Sequence, residues 1–133
     1  MPVYWFDGLA VNVEKIDSQH KKLIDMINGL EKAIEMRRGT SQLTLLVDEM
    51  IGYARTHFNA EEGLMNRYGY PEFDSHVAEH EAFIDKTMSL AFAPDDDENR
   101  PVEVLKFLRE WLVNHINGTD KPLGPFLNAQ GVR

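Results

Sequence analysis

The sequence predicts an all-α protein, an up-down-up-down antiparallel four-helix bundle with an ordered N-terminal arm. Three observations carry that expectation. Apolar residues recur at helical spacings of three and four in four separate runs. Capping and breaking residues bound each run. No segment alternates apolar and polar residues between turn signals, as a half-buried strand would.

Taken in order, the first helix starts near Asp17-Ser18, either of which can cap it, and runs to about Arg38, where Gly39 stops it. Its apolar face is Ile16, Leu23, Ile24, Ile27, Leu30 and Ile34. The second opens at Thr40-Ser41, carries Leu43, Val47, Met50, Ala54, Phe58 and Met65, and ends near Gly69. Pro71 suits the first turn of a third helix with Phe73, Val77, Phe83, Ile84 and Met88 on its face. The acidic loop Asp95-Asp96-Asp97-Glu98 leads to a fourth, capped by Asn99 with Pro101 at its first position. Val104, Leu108, Trp111, Leu112 and Ile116 face its core, and Asn117-Gly118 should end it. Short connections make these helices antiparallel neighbours. Three consecutive aromatics before Asp17 mark the arm, and Lys121 to Arg133 reads as a short capping segment.

Composition narrows the function. The 133 residues suit one domain, 1–133, and 43% hydrophobic residues are enough for one continuous core. With 22 acidic against 14 basic residues the formal net charge is -8, and Lys21-Lys22 and Arg37-Arg38 are the only basic doublets. Such a surface repels phosphate backbones and anionic lipid, so nucleic acid is not an expected partner. The absence of cysteine removes disulfides, iron–sulfur clusters and thiol catalysis. The start of the chain lacks a basic, apolar leader, and no stretch is long enough to span a membrane. The expectation is a soluble cytoplasmic protein.

The five histidines, His20, His57, His76, His80 and His115, all fall on apolar stripes. His20 precedes Leu23, Ile24 and Ile27 by three, four and seven, and His115 follows Leu112 and Leu108 by three and seven. Every helix thus turns at least one imidazole inward. A lone inward histidine is usually a satisfied core residue. Glu61 is harder to dismiss, because it lies one turn after His57 on the same face with no inward Lys or Arg to neutralise it. A bound cation would satisfy the carboxylate and the imidazoles together.

The spacings fit. His57 with Glu61, and His76 with His80, are i, i+4 pairs. His115 and Asp120 are five apart, which on a continuous α-helix separates them by about 140°. Their convergence therefore calls for the fourth helix to end at Asn117-Gly118, turning Asp120 back toward the bundle. Seven ligands exceed one tetrahedral zinc, and five nitrogens disfavour calcium and magnesium. Imidazole suits iron, copper, nickel and zinc, and two carboxylates suit bridging, so the set favours a dinuclear site. Glu62, Glu79 and Glu81 lie off the inward stripe or at its edge, as solvated groups or supporting partners of the ligands.

In their order along the chain these residues resemble the hemerythrin family, in its single-domain bacterial form. The family pattern is an isolated histidine on the first helix, then HxxxE, HxxxH and HxxxxD on the next three. Here these are His20, His57 with Glu61, His76 with His80, and His115 with Asp120. Trp5, Phe58 and Glu62 within HFNAEE, and Trp111 four before His115, agree with it, and the likeness covers nearly the whole chain. The resemblance implies two iron ions with a hydroxo or oxo bridge. His76, His80 and His115 would hold one; His20 and His57 would hold the other, which keeps an open position; Glu61 and Asp120 would bridge. It implies reversible O2 binding for carriage, storage or delivery, with O2 end-on at the open iron as hydroperoxide. Leu23, Phe58, Trp111, Leu112 and Ile116, one turn or less from ligands, could wall an apolar O2 pocket; as core residues they would look the same.

Two rival classes remain. A di-iron oxidase, oxygenase or peroxidase is the first, but the Glu-x-x-His motif of ferritin-like enzymes is absent, so a non-enzyme is expected. The second is a sensing module, for which no output domain is present. Iron storage is weaker, since a saturated pair holds a fixed stoichiometry. An O2-consuming partner enzyme is left unidentified.

Overall fold

A computed structural model describes residues 3–93 and 98–133. Four helices form the bundle: α1 (Glu14–Glu35), α2 (Gly39–Tyr68), α3 (Phe73–Ala91) and α4 (Arg100–Asn114). A π-helical turn, His115–Asp120, follows α4 without a break, and a short α5 (Leu123–Ala129) follows that. Each long helix packs on its neighbour in sequence and α1 packs on α4, closing the ring. No strand occurs among the described residues, as expected for an all-α fold. The residues of the acidic loop at 95–97 lie outside the described set.

The helix ends show where residue chemistry acted differently from expectation. Helix α1 ends at Glu35, and Arg37 just beyond it is left-handed with φ 58°, the Arg38 amide donating to Ala33 O at 2.7 Å. Gly39 is the first residue of α2 instead. A Cβ there would lie 2.9 Å from Ile34 Cγ1 and 3.1 Å from Pro101 Cβ, so this glycine serves close helix approach. Helix α1 begins three residues before Asp17, whose carboxylate accepts the amides of Val11 (2.8 Å) and Asn12 (3.1 Å). Asp17 therefore ties down the arm rather than capping the helix. Gly69, with φ 69°, ends α2 as expected. Pro71 lies in the turn ahead of α3, and Pro101 occupies the second rather than the first position of α4.

The arm is ordered. Its Val3 amide donates to Asn28 Oδ1 (2.9 Å), and Asn28 Nδ2 donates back to Val3 O (2.7 Å). Lys121 Nζ donates to the carbonyls of Gly8 and Ala10, and Asn128 Nδ2 to that of Asn12. A 3-10 turn at Asp7–Leu9 buries Leu9 in the core.

Two apolar clusters fill the bundle. The larger contains Leu23, Ile24, Ile27, Leu43, Val47, Phe58, Phe83, Leu108, Leu112 and Ile116; the smaller contains Val11, Val13, Ile16, Met65, Tyr70, Leu123 and Leu127. On α1, α2 and α3 the histidines lie at or near the junction of the two clusters: His20 between Ile16 and Leu23, His57 and Glu61 before Met65, and His76 and His80 before Phe83. Glu31, buried on α1, pairs with the part-buried Arg109 on α4, whose guanidinium helps to offset the cost of burying the carboxylate.

Candidate metal centre

All seven expected ligands converge, and all are buried to 3% exposure or less. Helix α1 supplies His20, α2 His57 and Glu61, α3 His76 and His80, and the π-helical turn supplies His115 and Asp120. That turn corrects the expected break. The chain does not end its helix at Asn117-Gly118, and Gly118 does not adopt a positive φ. A turn closed by i→i+5 hydrogen bonds returns the residue five places on to the side of the first. Widening the helix by one residue therefore does what a break was expected to do.

Every histidine presents Nε2 to the centre. The carboxylates divide their oxygens between two sides. Glu61 Oε2 lies 3.6 Å from His20 Nε2 and 3.3 Å from His57 Nε2, whereas Oε1 lies 3.5 Å from His76 and 3.1 Å from His80. Asp120 Oδ2 lies 3.0 Å from His20, and Oδ1 lies 2.9 Å from His76 and 3.2 Å from His115. The donors thus form two groups, His76, His80 and His115 in one and His20 and His57 in the other, with Glu61 and Asp120 common to both.

The outer nitrogens settle the tautomers. His57 Nδ1 is 2.6 Å from Gln19 Oε1, His80 Nδ1 is 2.9 Å from Glu62 Oε2, and His115 Nδ1 is 3.1 Å from Glu79 Oε1. A carboxylate only accepts, so His80 and His115 carry hydrogen on Nδ1. When neutral, each then has a bare lone pair at Nε2, and these two nitrogens are 3.2 Å apart. Two lone pairs at that distance repel unless a cation is shared between them. In addition, both nitrogens of His20 and His76 and all four oxygens of Glu61 and Asp120 lack an aligned hydrogen-bond partner despite their proximity. Buried donors that crowd together without bonding one another fit shared cations.

Protons take the place of those cations in the metal-free protein. Burial alone would lower the His20 and His76 pKa values, but Asp120 and Glu61 outweigh it and raise both from 6.5 to about 9. His115 is raised in the same way. Burial pushes Glu61 up, yet the surrounding imidazoles, His57 first, hold it well below the ordinary carboxylate range. Asp120 is also held low: burial and Glu61 raise it, and His115 and His20 more than reverse them. Two divalent ions would replace several protons and more than neutralise the two carboxylates.

Of the residues left at the edge of the stripe, Glu62 and Glu79 are hydrogen-bond partners of His80 and His115, and Glu81 is exposed. Gln19 and Thr119 were not expected; Thr119 Oγ1 donates to Glu79 at 2.7 Å and 2.9 Å. Both lie beside a ligand in sequence, and so on the flank that meets the next helix. Leu23, Phe58, Leu112 and Ile116 are buried in the main cluster, with Trp111 packed at its edge. Phe58 stacks on His80 at 3.8 Å and Trp111 on His115 at 4.3 Å, so both rings back the three-imidazole group.

The chain is similar to known proteins over most of its length. The model of the hemerythrin HHE cation binding domain matches residues 11–127. A bacteriohemerythrin of Methylococcus capsulatus is 36% identical over 123 residues, covering 90% of this chain and 92% of that protein. A bacteriohemerythrin of Stenotrophomonas maltophilia is 35% identical, covering 88% of this chain and 76% of that one. Among solved structures, a wild-type hemerythrin superposes with a TM-score of 0.80 at 32% identity, covering 94% of this chain and 97% of the other.

Proposed function

The chain belongs to the hemerythrin family, and from that premise we propose that it binds O2 reversibly at a pair of non-haem iron ions, as a carrier, store or donor of the gas and not as an enzyme. In this reading His76, His80 and His115 would hold one iron and His20 and His57 the other, with Glu61 and Asp120 serving both. The observation that carries the assignment is the split of each carboxylate, one oxygen facing each imidazole group.

When bound, the iron pair supplies two electrons that can be lent to O2 and recovered on its release. The end-on mode and the open position at the two-histidine iron belong to the same proposal. The protein's own part is to hold, orient and shield. Helices α1 to α3 fix five of the ligands on rigid backbone, and the π-helical turn adds His115 and Asp120. Hydrogen bonds from Nδ1 to Gln19, Glu62 and Glu79 lock three rings with Nε2 inward. Leu23, Leu112 and Ile116 are 4%, 4% and 0% exposed, and would keep water and protons from the bound gas as the apolar wall of its pocket. Phe58 and Trp111 complete that wall from the three-histidine side.

No helix among the described residues is long and apolar enough to cross a membrane, and a cytoplasmic place with O2 as the ligand completes the proposal. The test is a ferrous-loaded sample cycled between argon and air. A visible absorption that appears in air and vanishes under argon over repeated cycles is expected. Irreversible oxidation on first exposure, or sustained turnover of an added reductant, would contradict it.

A further inference from the structure

We infer that Glu62 and Glu79 are positioning residues that make the two metal positions unequal, so that the three-histidine position holds its metal more tightly than ligand number alone dictates. This rests on the assignment of the two positions given above. The distribution of outer partners carries it. His80 and His115 each direct Nδ1 at a carboxylate, at 2.9 Å and 3.1 Å. His57 directs Nδ1 at the neutral amide of Gln19, at 2.6 Å. Neither His20 nor His76 has a partner at Nδ1. One metal position therefore has two anionic supports, and the other has a neutral one.

The difference acts through the imidazole. A carboxylate accepting from Nδ1–H draws the proton toward itself and leaves more electron density at Nε2, making that nitrogen a stronger donor to a metal. It also adds negative charge near the cation, which an amide does not. The Glu79 carboxylate is held in place from a second side. Thr119, next to the bridging Asp120, donates to both oxygens of Glu79. Phe58 and Trp111 cover faces of the same two imidazoles, with interplanar angles of 6° and 13°, which limits water around the rings. Glu62 lies at a cavity of about 340 Å³ between α2 and α3, lined also by Phe58 and His80, so its carboxylate meets solvent on one side and the ligand on the other.

Chelator kinetics read this asymmetry directly. Wild-type protein, Glu62→Gln/Glu79→Gln and Gln19→Glu are loaded under argon with two ferrous ions per chain and mixed with excess of a colorimetric ferrous chelator. Wild type should release iron in two phases of one ion each, the fast one from the two-histidine position. Loss of such supporting partners typically costs 10- to 100-fold in metal affinity, so the double variant should speed the slow phase by roughly that factor and leave the fast phase in place. Gln19→Glu, which removes no contact, should slow the fast phase. In both variants the ratio of the two rate constants falls, with the helical circular dichroism of the metal-free proteins unchanged. A ratio unchanged in the folded variants overturns the inference, as does an equal acceleration of both phases. Failure of the wild type to retain two irons would instead refute the two-metal assignment on which it rests.

Discussion

Metal-free protein should lose stability as the pH rises from 6.5 to 9, and metal-loaded protein should not. The origin is the pair His20 and His76, each 1% exposed and raised from 6.5 to about 9 by Asp120 and Glu61 against the opposing effect of burial. A raised imidazole stabilises the fold fully below its unfolded pKa and ceases to do so as pH passes its folded value. At about 1.4 kcal/mol per pH unit, each imidazole contributes about 3 kcal/mol that disappears over this window. Glu61 and Asp120 are lowered, so their contribution is present above the ordinary carboxylate range and lost as pH falls toward and below it. These are two sides of one attraction and are not added. The metal-free protein is accordingly most stable between about pH 4.5 and 6.5. With metal bound, Nε2 carries no proton and the alkaline loss vanishes. Urea denaturation at pH 6.5, 7.5, 8.5 and 9, with and without iron under argon, measures both curves. Metal-free stability that stays level or rises from pH 7 to 9 would refute the reasoning.

Three substitutions probe the rest. His115→Ala removes a ligand that is 3% exposed and stacked on Trp111; metal content should fall from two ions per chain to one, and the metal-free fold should lose about 2–4 kcal/mol, with two retained ions counting against the assignment. Leu112→Ala, at 4% exposure in the main cluster, should cost about 2–4 kcal/mol and speed autoxidation of the oxygenated form; an unchanged decay rate would reduce Leu112 to packing. Gly124→Ala would place a Cβ 3.0 Å from the Val11 carbonyl carbon and nearer still to its oxygen, forcing the arm away from α5 at about 1–3 kcal/mol. An unchanged urea midpoint for that variant would show that the arm yields freely.

What the sequence made legible was which face of each helix is buried. Inward histidines and Glu61 announced themselves because polar groups on an apolar stripe need partners, and the bundle followed from four such stripes with short links. Contacts across helices were not legible, because periodicity gives a residue's direction and not its neighbour. Gln19 and Thr119 look like ordinary helix-flank residues, and Glu31 pairs with Arg109, far away along the chain. Asp120 shows a different limit. Its convergence with His115 was read from spacing, but the change from i+4 to i+5 hydrogen bonding has no residue signature of its own. Asn117-Gly118 serves a widened turn as readily as a stop. At Arg37 the left-handed residue is one that carries a side chain, with the expected glycine two positions later.

The central claim, two metals sharing two carboxylates, is tested most directly by diffraction from iron-loaded crystals on either side of the iron absorption edge. Two anomalous peaks are expected, one bounded by His76, His80 and His115, the other by His20 and His57, with Glu61 and Asp120 reaching both. A single peak, or two peaks that share neither carboxylate, would contradict it.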